Sequence, residues 1–306
     1  MTAYLGHIAA LATSVAWTFT SVLFTLSVQK VGASVVNRMR LLLGLAFALI
    51  MHLILEGSLI PQAEPFRWGW LAASGFIGYV LGDGALFLAF ERLGARLGML
   101  LMALAPVLST LLAWVVLGEV LTPLELLGIG LAVSGVAMVV AGPRNGGSSG
   151  TAIPEGTDPG RYYLVGVLFG LGAALGQAVG LLSSRMGLQG DFSALSGNVI
   201  RLSAATLSIW VIALARRQIA SGIRALREKP QAMRTIAGGA VFGPFVGVWL
   251  SLIAVQLAPL GIASTLTSLA PVFLLPVSYF LFKERFGVLA ILGTLVAVAG
   301  TALLFL

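Results

Sequence analysis

Long apolar segments alternate with short polar segments along the whole chain, and this alternation predicts membrane-spanning helices. Each apolar run holds about 19 to 24 residues, which at about 1.5 Å of rise per residue crosses about 30 Å of hydrocarbon. We predict an all-α membrane protein with ten spans. Their starts lie near Leu5, Val35, Gly69, Gly94, Leu124, Tyr163, Ala194, Thr235, Gly261 and Gly287. Most connections are short, so consecutive spans are expected to be antiparallel.

The composition agrees with a chain that is mostly surrounded by lipid. It is 58% hydrophobic and 9% charged, with a mean hydropathy of +1.02, whereas soluble domains carry about 25% charged residues. The first apolar run, from Leu5 to Val28, is long enough to span and has no basic segment before it. We therefore expect it to stay as the first helix rather than to be cleaved as a signal peptide. The absence of cysteine excludes disulfides and thiolate metal sites.

The basic residues lie between the apolar runs and predict the orientation of the chain. The net charge of +7 would suggest nucleic acid in a soluble protein, but no basic stripe with interleaved aromatics is present, so we expect no nucleic-acid partner. If ten spans alternate, 15 of the 18 lysines and arginines fall on one face, and Arg67, Arg185 and Arg201 fall on the other. The basic face is predicted to be cytoplasmic. Both termini are then outside (periplasmic), with the chain in the cell inner (plasma) membrane.

The densest basic segment runs from Arg216 to Arg234. Two interpretations remain open for it: a segment that lies along anionic lipid headgroups, and a solvated cytoplasmic loop.

A Gly-, Ser- and Pro-rich segment divides the chain into two halves. Residues 142–160 read GPRNGGSSGTAIPEGTDPG, which is typical of a flexible linker, and the orientation places it in the cytoplasm. We predict one five-helix unit at 1–141 and a second at 161–306.

The two halves look like copies of one unit. A shift of 165 positions places residues 104–107 (LAPV) on 269–272 (LAPV) and gives 12 identities over the 35 positions from Ala103 to Ala137. The same shift carries Gly78 and Gly82 onto Gly243 and Gly247, a spacing that lets helix backbones approach closely in lipid. With a slightly different offset, residues 37 and 40 (Asn and Arg) match residues 198 and 201 (Asn and Arg). Because five is odd, the second copy must enter the membrane from the opposite side, as in the inverted repeats of secondary transporters.

These motifs carry a family resemblance over nearly the whole chain. The doubled LAPV precedes a helix that ends at Glu119 or Glu284, and glycine-rich helices follow it. With them the chain resembles the drug/metabolite transporter superfamily, specifically its ten-helix EamA-type exporters. Its aromatic-lined spans are similar to those of the YddG type of aromatic amino-acid exporter. The resemblance implies a central cavity lined by spans one to four and six to nine, with spans five and ten outside it.

One departure from the family bears on the substrate. Small relatives that expel cationic drugs carry an acid in the first span, whereas the corresponding positions here are Thr13, Ser14, Trp17 and Thr18. The resemblance therefore implies a neutral or zwitterionic solute. Amino acids with aromatic or hydrophobic side chains are the favoured class, and another metabolite or a drug is the alternative.

Ionisable residues inside spans are costly and indicate function or a partner. Asp83 is the one acid well inside an apolar run. It either binds a substrate amine or a proton, or it caps backbone or meets an arginine at the cytoplasmic end of its helix. We further predict two ion pairs related by the repeat, Arg40 with Glu284 at the cytoplasmic end and Arg201 with Glu119 at the external end. Each pair either gates the pathway or joins helix ends.

Other polar and aromatic residues are predicted to face the central cavity or to bend helices. Aromatic faces stack on aromatic solutes, and amides bond polar groups. With Asp83, the candidate substrate-binding residues are Trp17, Tyr79, Gln177, Asn198, Phe245 and Trp249. Pro106 and Pro271 are predicted to remove a hydrogen bond from the fourth and ninth helices, which makes them either hinges or static bends.

Enzyme chemistry finds little support in the sequence. The chain has only His7 and His52 and lacks a zinc-protease, aspartyl-protease, serine-elbow or phosphate-loop motif. A passive channel or a scaffold stays open, although neither needs an inverted duplication. We therefore expect a transporter that works by alternating access, without a catalytic residue, metal or cofactor. Its expected partners are a small-molecule substrate and the lipid bilayer, with a monomer as the working expectation.

Overall fold

The fold is described from a computed structural model, which covers residues 2–118, 120–142, 153, 155–257, 266–284 and 286–305. All regular secondary structure in these ranges is helical, as predicted. In chain order the helices are α1 Thr2–Val31, α2 Ala33–Glu56, α3 Pro65–Gly75, π1 Phe76–Gly82, α4 Asp83–Met102, α5 Ala105–Leu117, α6 Pro123–Ala141, α7 Pro159–Gly187, α8 Ala194–Ala215, α9 Ile219–Glu228, α10 Pro230–Ala240, π2 Val241–Gly247, α11 Val248–Leu257, α12 Ala270–Leu281 and α13 Val288–Leu303.

Within the ranges given above, six continuous helical segments are long and apolar enough to cross a membrane. They are Tyr4–Val31, Ala33–Glu56, Pro65–Met102, Pro123–Ala141, Pro159–Gly187 and Ala194–Ala215. Shorter apolar helices follow at α5, α12 and α13. The length and composition of these elements agree with a multi-pass membrane protein.

The longest of the six segments contains a turn at the glycine where the fourth span was predicted to start. At about 1.5 Å per residue, the 38 residues of Pro65–Met102 would extend about 57 Å, nearly twice the hydrocarbon thickness. Gly94 interrupts the segment with φ 77° and ψ 176°, a conformation that side chains with a Cβ rarely adopt. The chain therefore reverses at Gly94.

Helix ends follow local sequence signals. Thr122 and Glu125 form a capping box at the start of α6, where each side chain bonds the other residue's backbone N–H. Glu64 precedes α3, and Pro65 occupies its first turn. Asp158 accepts a hydrogen bond from the Gly160 N–H, so α7 begins at Pro159, inside the segment predicted as a linker.

Pro106 and Pro271 lie at the starts of helices, not inside continuous helices as predicted. Each proline lies in the first turn of a new helix, α5 or α12. A helix's first N–H groups have no intrahelical partner, so proline there removes no hydrogen bond. The expectation of a lost bond inside a continuous helix was therefore wrong at both sites. Pro244 and Pro276 do lie inside helices, in π2 and α12.

The two π-helices occupy matching places in the two halves. A shift of 165 positions places Phe76–Gly82 on Val241–Gly247 residue for residue. Each packs against the first long helix of the other half: π1 against α7 and π2 against α1. A π-turn in a helix often marks a functional site, and both π-helices here adjoin the centre of the molecule.

Two glycine-rich helices, α6 and α13, cross at very short distance. A Cβ added to Gly128 would lie 2.8 Å from the carbonyl oxygen of Gly300, and one added to Gly135 would lie 2.6 Å from that of Gly293. The earlier glycine of α6 thus meets the later glycine of α13, so the helices are antiparallel. Small residues permit this backbone contact.

Candidate functional site

A cavity of about 430 Å³ lies at the centre of the helical assembly. Its wall combines residues from both halves of the chain. They come from α1 (Trp17), α2 (Arg40), π1 (Tyr79), α4 (Asp83), α5 (Pro106), α7 (Gln177), α8 (Arg201), α11 (Val248), α12 (Pro271) and α13 (Thr301). Most of the lining surface is apolar, including Leu86, Met99 and Met102. A largely apolar pocket of this volume with a few converging polar groups is typical of a small-molecule site.

The last helix contributes a residue, Thr301, to the wall of the cavity, which was not expected. The resemblance implied that the last span lies outside the cavity, but Thr301 of α13 lines it. Its hydroxyl lies 3.2 Å from the carbonyl oxygen of Ala103 and 3.0 Å from that of Ala297, and its single proton is donated to one of them or shared between them. Ala103 lies between α4 and α5, so the contact connects α13 to the break between these helices.

Asp83 forms the centre of a buried polar cluster. Its Oδ2 accepts from the Arg40 guanidinium, and its Oδ1 accepts from the Gln177 amide at 2.5 Å. The side chains of Arg40 and Asp83 are only 11% and 9% exposed. Asp83 therefore meets an arginine, as one interpretation had it, but does so in the cavity rather than at the cytoplasmic end of its helix.

Tyr79 lies between the two arginines that line the cavity. The guanidinium carbons of Arg201 and Arg40 are 4.5 Å and 5.8 Å from the centre of its ring, within range of a cation–π interaction. The Tyr79 hydroxyl donates to Asn198 Oδ1 at 2.8 Å, and its backbone carbonyl accepts from Asn37 at 3.1 Å. The two Asn and Arg pairs that the repeat relates thus surround one tyrosine.

The predicted partner of Arg40 was wrong. Arg40 pairs with Asp83, and Glu284 pairs instead with Arg96, whose Nε lies 3.0 Å from Glu284 Oε2. The reason is helix packing, since α4 packs against both α2 and α12. Its first turn therefore supplies the carboxylate for Arg40, and its last turns supply the cation for Glu284.

Some of the predicted substrate-binding residues line the cavity, and others lie outside the described residues. Trp17, Tyr79, Asp83 and Gln177 all line the cavity, and Asn198 contacts it through the Tyr79 hydroxyl. The side chains of Phe245 and Trp249, and the whole of Glu119, lie outside the described part of the structure. The binding roles of all these residues stay predictions.

Sequence reasoning missed the two arginines as cavity residues. It placed Arg40 and Arg201 at opposite ends of the pathway, but both guanidinium groups reach one cavity. Arg40 is seven residues after the start of α2, and Arg201 is seven residues after the start of α8. At about 1.5 Å per residue each lies about 10 Å into the membrane-spanning element, a depth that the spacing within each span could have shown.

The central arrangement can bind a small amphipathic molecule. The apolar wall packs against apolar groups, while Gln177 and the two guanidinium groups offer hydrogen bonds and positive charge.

Comparison with known proteins agrees with this description. The family model described as "EamA-like transporter family" matches twice, at residues 4–141 and 164–306. The chain is similar to a solved crystal structure with a TM-score of 0.59 and 19% sequence identity, over 97% of this chain and 94% of that chain; at this identity the likeness shows a shared fold. Among curated proteins no significant match was found. The chain is a multi-pass membrane protein and belongs to the EamA-like transporter family.

Proposed function

We propose that the protein exports a small neutral or zwitterionic organic solute by alternating access, and that amino acids with aromatic or hydrophobic side chains are its substrates. This is the substrate class of the YddG type of exporter. The observation that carries the proposal is the central cavity, whose volume of about 430 Å³ suits a solute of amino-acid size. Trp17 supplies an aromatic face, and Gln177 and Arg201 supply polar contacts.

The proposed architecture is ten spans arranged as two inverted five-helix repeats, at 1–141 and 161–306. Three observations support it: the family model matches each half separately, the two π-helices fall at equivalent positions, and α6 and α13 cross antiparallel through equivalent glycines. In inverted repeats the substrate site lies where the halves meet, which is where the cavity is found.

The proposed orientation places the linker at 142–160 in the cytoplasm and both termini outside the inner membrane. Under this assignment the packed, buried side chains of Val22, Ala95 and Leu274 and the Arg96–Glu284 pair belong to the cytoplasmic side of the cavity. We propose that this packing and this ion pair form a cytoplasmic gate, which a carrier needs and an open channel does not.

Counterflow in vesicles that contain the purified protein tests the proposal. We expect saturable uptake of labelled tryptophan or phenylalanine that unlabelled aromatic amino acids inhibit. Flux of drugs but of no amino acid would favour the alternative substrate class, and flux that does not saturate would indicate a channel.

A matched pair of tryptophan variants assigns the flux to the cavity. Trp17 lines the cavity, whereas Trp114 on α5 is 51% exposed on the outside of the helix assembly. Loss of an aromatic contact worth about 0.5–1.5 kcal/mol should raise the half-saturating concentration about 2- to 12-fold for Trp17→Ala. Trp114→Ala should leave it unchanged, and equal effects of the two variants would count against the assigned site.

A further inference from the structure

The described lining of the cavity carries an uncompensated positive charge. Three of its residues carry a formal charge at neutral pH: Arg40, Arg201 and Asp83. One carboxylate therefore faces two guanidinium groups. A charge in an apolar, low-dielectric cavity is costly unless a partner of opposite charge balances it.

Asp83 is not free to balance a second cation or to receive an ammonium group. Its Oδ2 is bonded to Arg40 and its Oδ1 to Gln177. A solute with a positively charged end would have to displace one of these buried partners. The cavity therefore offers no open carboxylate among its described residues.

Arg201 is the arginine of the cavity wall that has no ion-pair partner among the described residues. No described carboxylate lies within ion-pair distance of it, and its Nε is buried without a hydrogen-bond acceptor. The guanidinium rests on the Tyr79 ring at 4.5 Å. Its predicted partner, Glu119, lies outside the described residues. However, α5 continues for 11 residues from Pro106, in the cavity wall, to its end at Leu117. The end of α5 therefore lies about 16 Å along the helix axis from Pro106.

Comparison of the two halves shows that the second half has no counterpart of the Asp83 carboxylate. Arg40 corresponds to Arg201, and the shift of 165 positions that superimposes the two π-helices carries Asp83 onto Val248. Val248 follows π2 as Asp83 follows π1, and it also lines the cavity. The first half thus supplies an arginine with its own carboxylate, whereas the second half supplies an equivalent arginine and a valine.

We propose that Arg201 binds a carboxylate of the transported solute, which takes the place that the Asp83 carboxylate occupies beside Arg40. The inference rests on the proposed function and specifies which group of the substrate the cavity recognises. The solute must carry an acid group and an apolar body, and its amino group is dispensable. A planar guanidinium matches a carboxylate with two parallel hydrogen bonds. The apolar body then packs on Trp17, Met102 and Pro271.

Direct binding of four related ligands tests the inference. The purified protein in detergent is titrated by calorimetry with tryptophan, indole-3-propionic acid, tryptophanamide and tryptamine. The first two ligands carry a carboxylate, and the second of them lacks the amino group. Both should bind with similar affinity. The amide and the amine should bind about 10- to 150-fold more weakly, because hydrogen bonds to charged groups contribute about 1.5–3 kcal/mol.

Three variants assign the effect to Arg201. Arg201→Gln should weaken both acids by the same factor of about 10 to 150 and leave the amide unchanged. Val248→Asp places a carboxylate at the position equivalent to Asp83, so it should also weaken both acids while Arg201 is kept. Arg224→Gln, an equal change of charge on the exposed face of α9, is the matched control and should bind all four ligands like the wild type.

The outcomes separate this inference from the proposed function. If tryptophanamide binds as tightly as tryptophan, or if Val248→Asp and Arg201→Gln both retain full affinity for the acids, the carboxylate role is wrong while amino-acid transport stands. If neither acid binds the wild type, the carboxylate role and the amino-acid assignment are both overturned.

Discussion

Asp83→Asn removes the one negative charge from the polar cluster of the cavity and leaves its size almost unchanged. The carboxylate now accepts from Arg40 and Gln177 at the same time. An asparagine amide has one oxygen and one NH₂ group, so it can accept from only one of these donors and directs its own donors at the other. Arg40 then remains buried next to Arg201 without a counter-charge.

The cost follows from the burial of the pair. Removing one partner of a buried ion pair costs about 3–5 kcal/mol. The side chains of Arg40 and Asp83 retain 11% and 9% exposure towards the cavity, where water screens the arginine left behind, so we take the lower end, about 3 kcal/mol. At about 2–4 °C per kcal/mol for a chain of more than 150 residues, the melting temperature should fall by about 6–12 °C.

Thermal unfolding in detergent measures this fall, and two further variants make it specific. Arg40→Gln together with Asp83→Asn removes both charges and should recover at least about 1 kcal/mol, since contacting residues couple by about 0.5–3 kcal/mol. Glu64→Gln is the control, because it breaks the ion pair between Glu64 and Arg67, in which the Glu64 side chain is 70% exposed. It should shift the melting temperature by less than about 2 °C. An equally small shift for Asp83→Asn, or a double variant no more stable than the single one, would refute the assigned role of the pair.

Two further predictions concern the contact of α6 with α13 and the Arg96–Glu284 ion pair. Gly135→Leu should separate α6 from α13 and lower the melting temperature by several degrees, because the leucine side chain would overlap backbone atoms of α13. Gly130→Leu is the control, since nothing lies within 4 Å of that position; equal melting temperatures of the two variants would contradict the crossing. Reversal of the charge at Arg96 or at Glu284 should abolish counterflow, because it leaves two like charges in a buried site. Reversal of both charges restores the ion pair and should restore counterflow; no recovery would show that transport does not depend on this contact.

Much of the fold could be predicted because lipid imposes simple rules. Long apolar runs must form helices, so the positions of α1, α2, α6, α7 and α8 follow from hydropathy alone. The turn at Gly94 also follows from the limit that membrane thickness sets on helix length. The glycines of α6 and α13 are part of the duplicated sequence, and their spacing predicts close helix contact in lipid.

The partners of the charged residues could not be predicted in the same way. Symmetry suggested Arg40 with Glu284, but a symmetric assignment needs each half to keep the same residues, and Asp83 has Val248 as its counterpart. Which carboxylate meets which arginine depends on how deep each lies in its helix and on which helices adjoin. Small residues show where two helix backbones approach closely in lipid, but they do not show which charged side chains face each other. The π-helices have no local sequence signal beyond their glycines and Pro244.

The measurement that tests the central claim most directly is protection of the cavity by its solute. The chain has no cysteine, so Met102→Cys places a single thiol in the cavity wall and can be modified with sulfonatoethyl methanethiosulfonate in reconstituted vesicles. Modification should abolish amino-acid counterflow, and saturating tryptophan should slow the modification several-fold. Ser221→Cys on exposed α9 should react at a rate that tryptophan does not change and should keep its flux. Full counterflow after complete modification of Met102→Cys would contradict the claim that this cavity is the transport site.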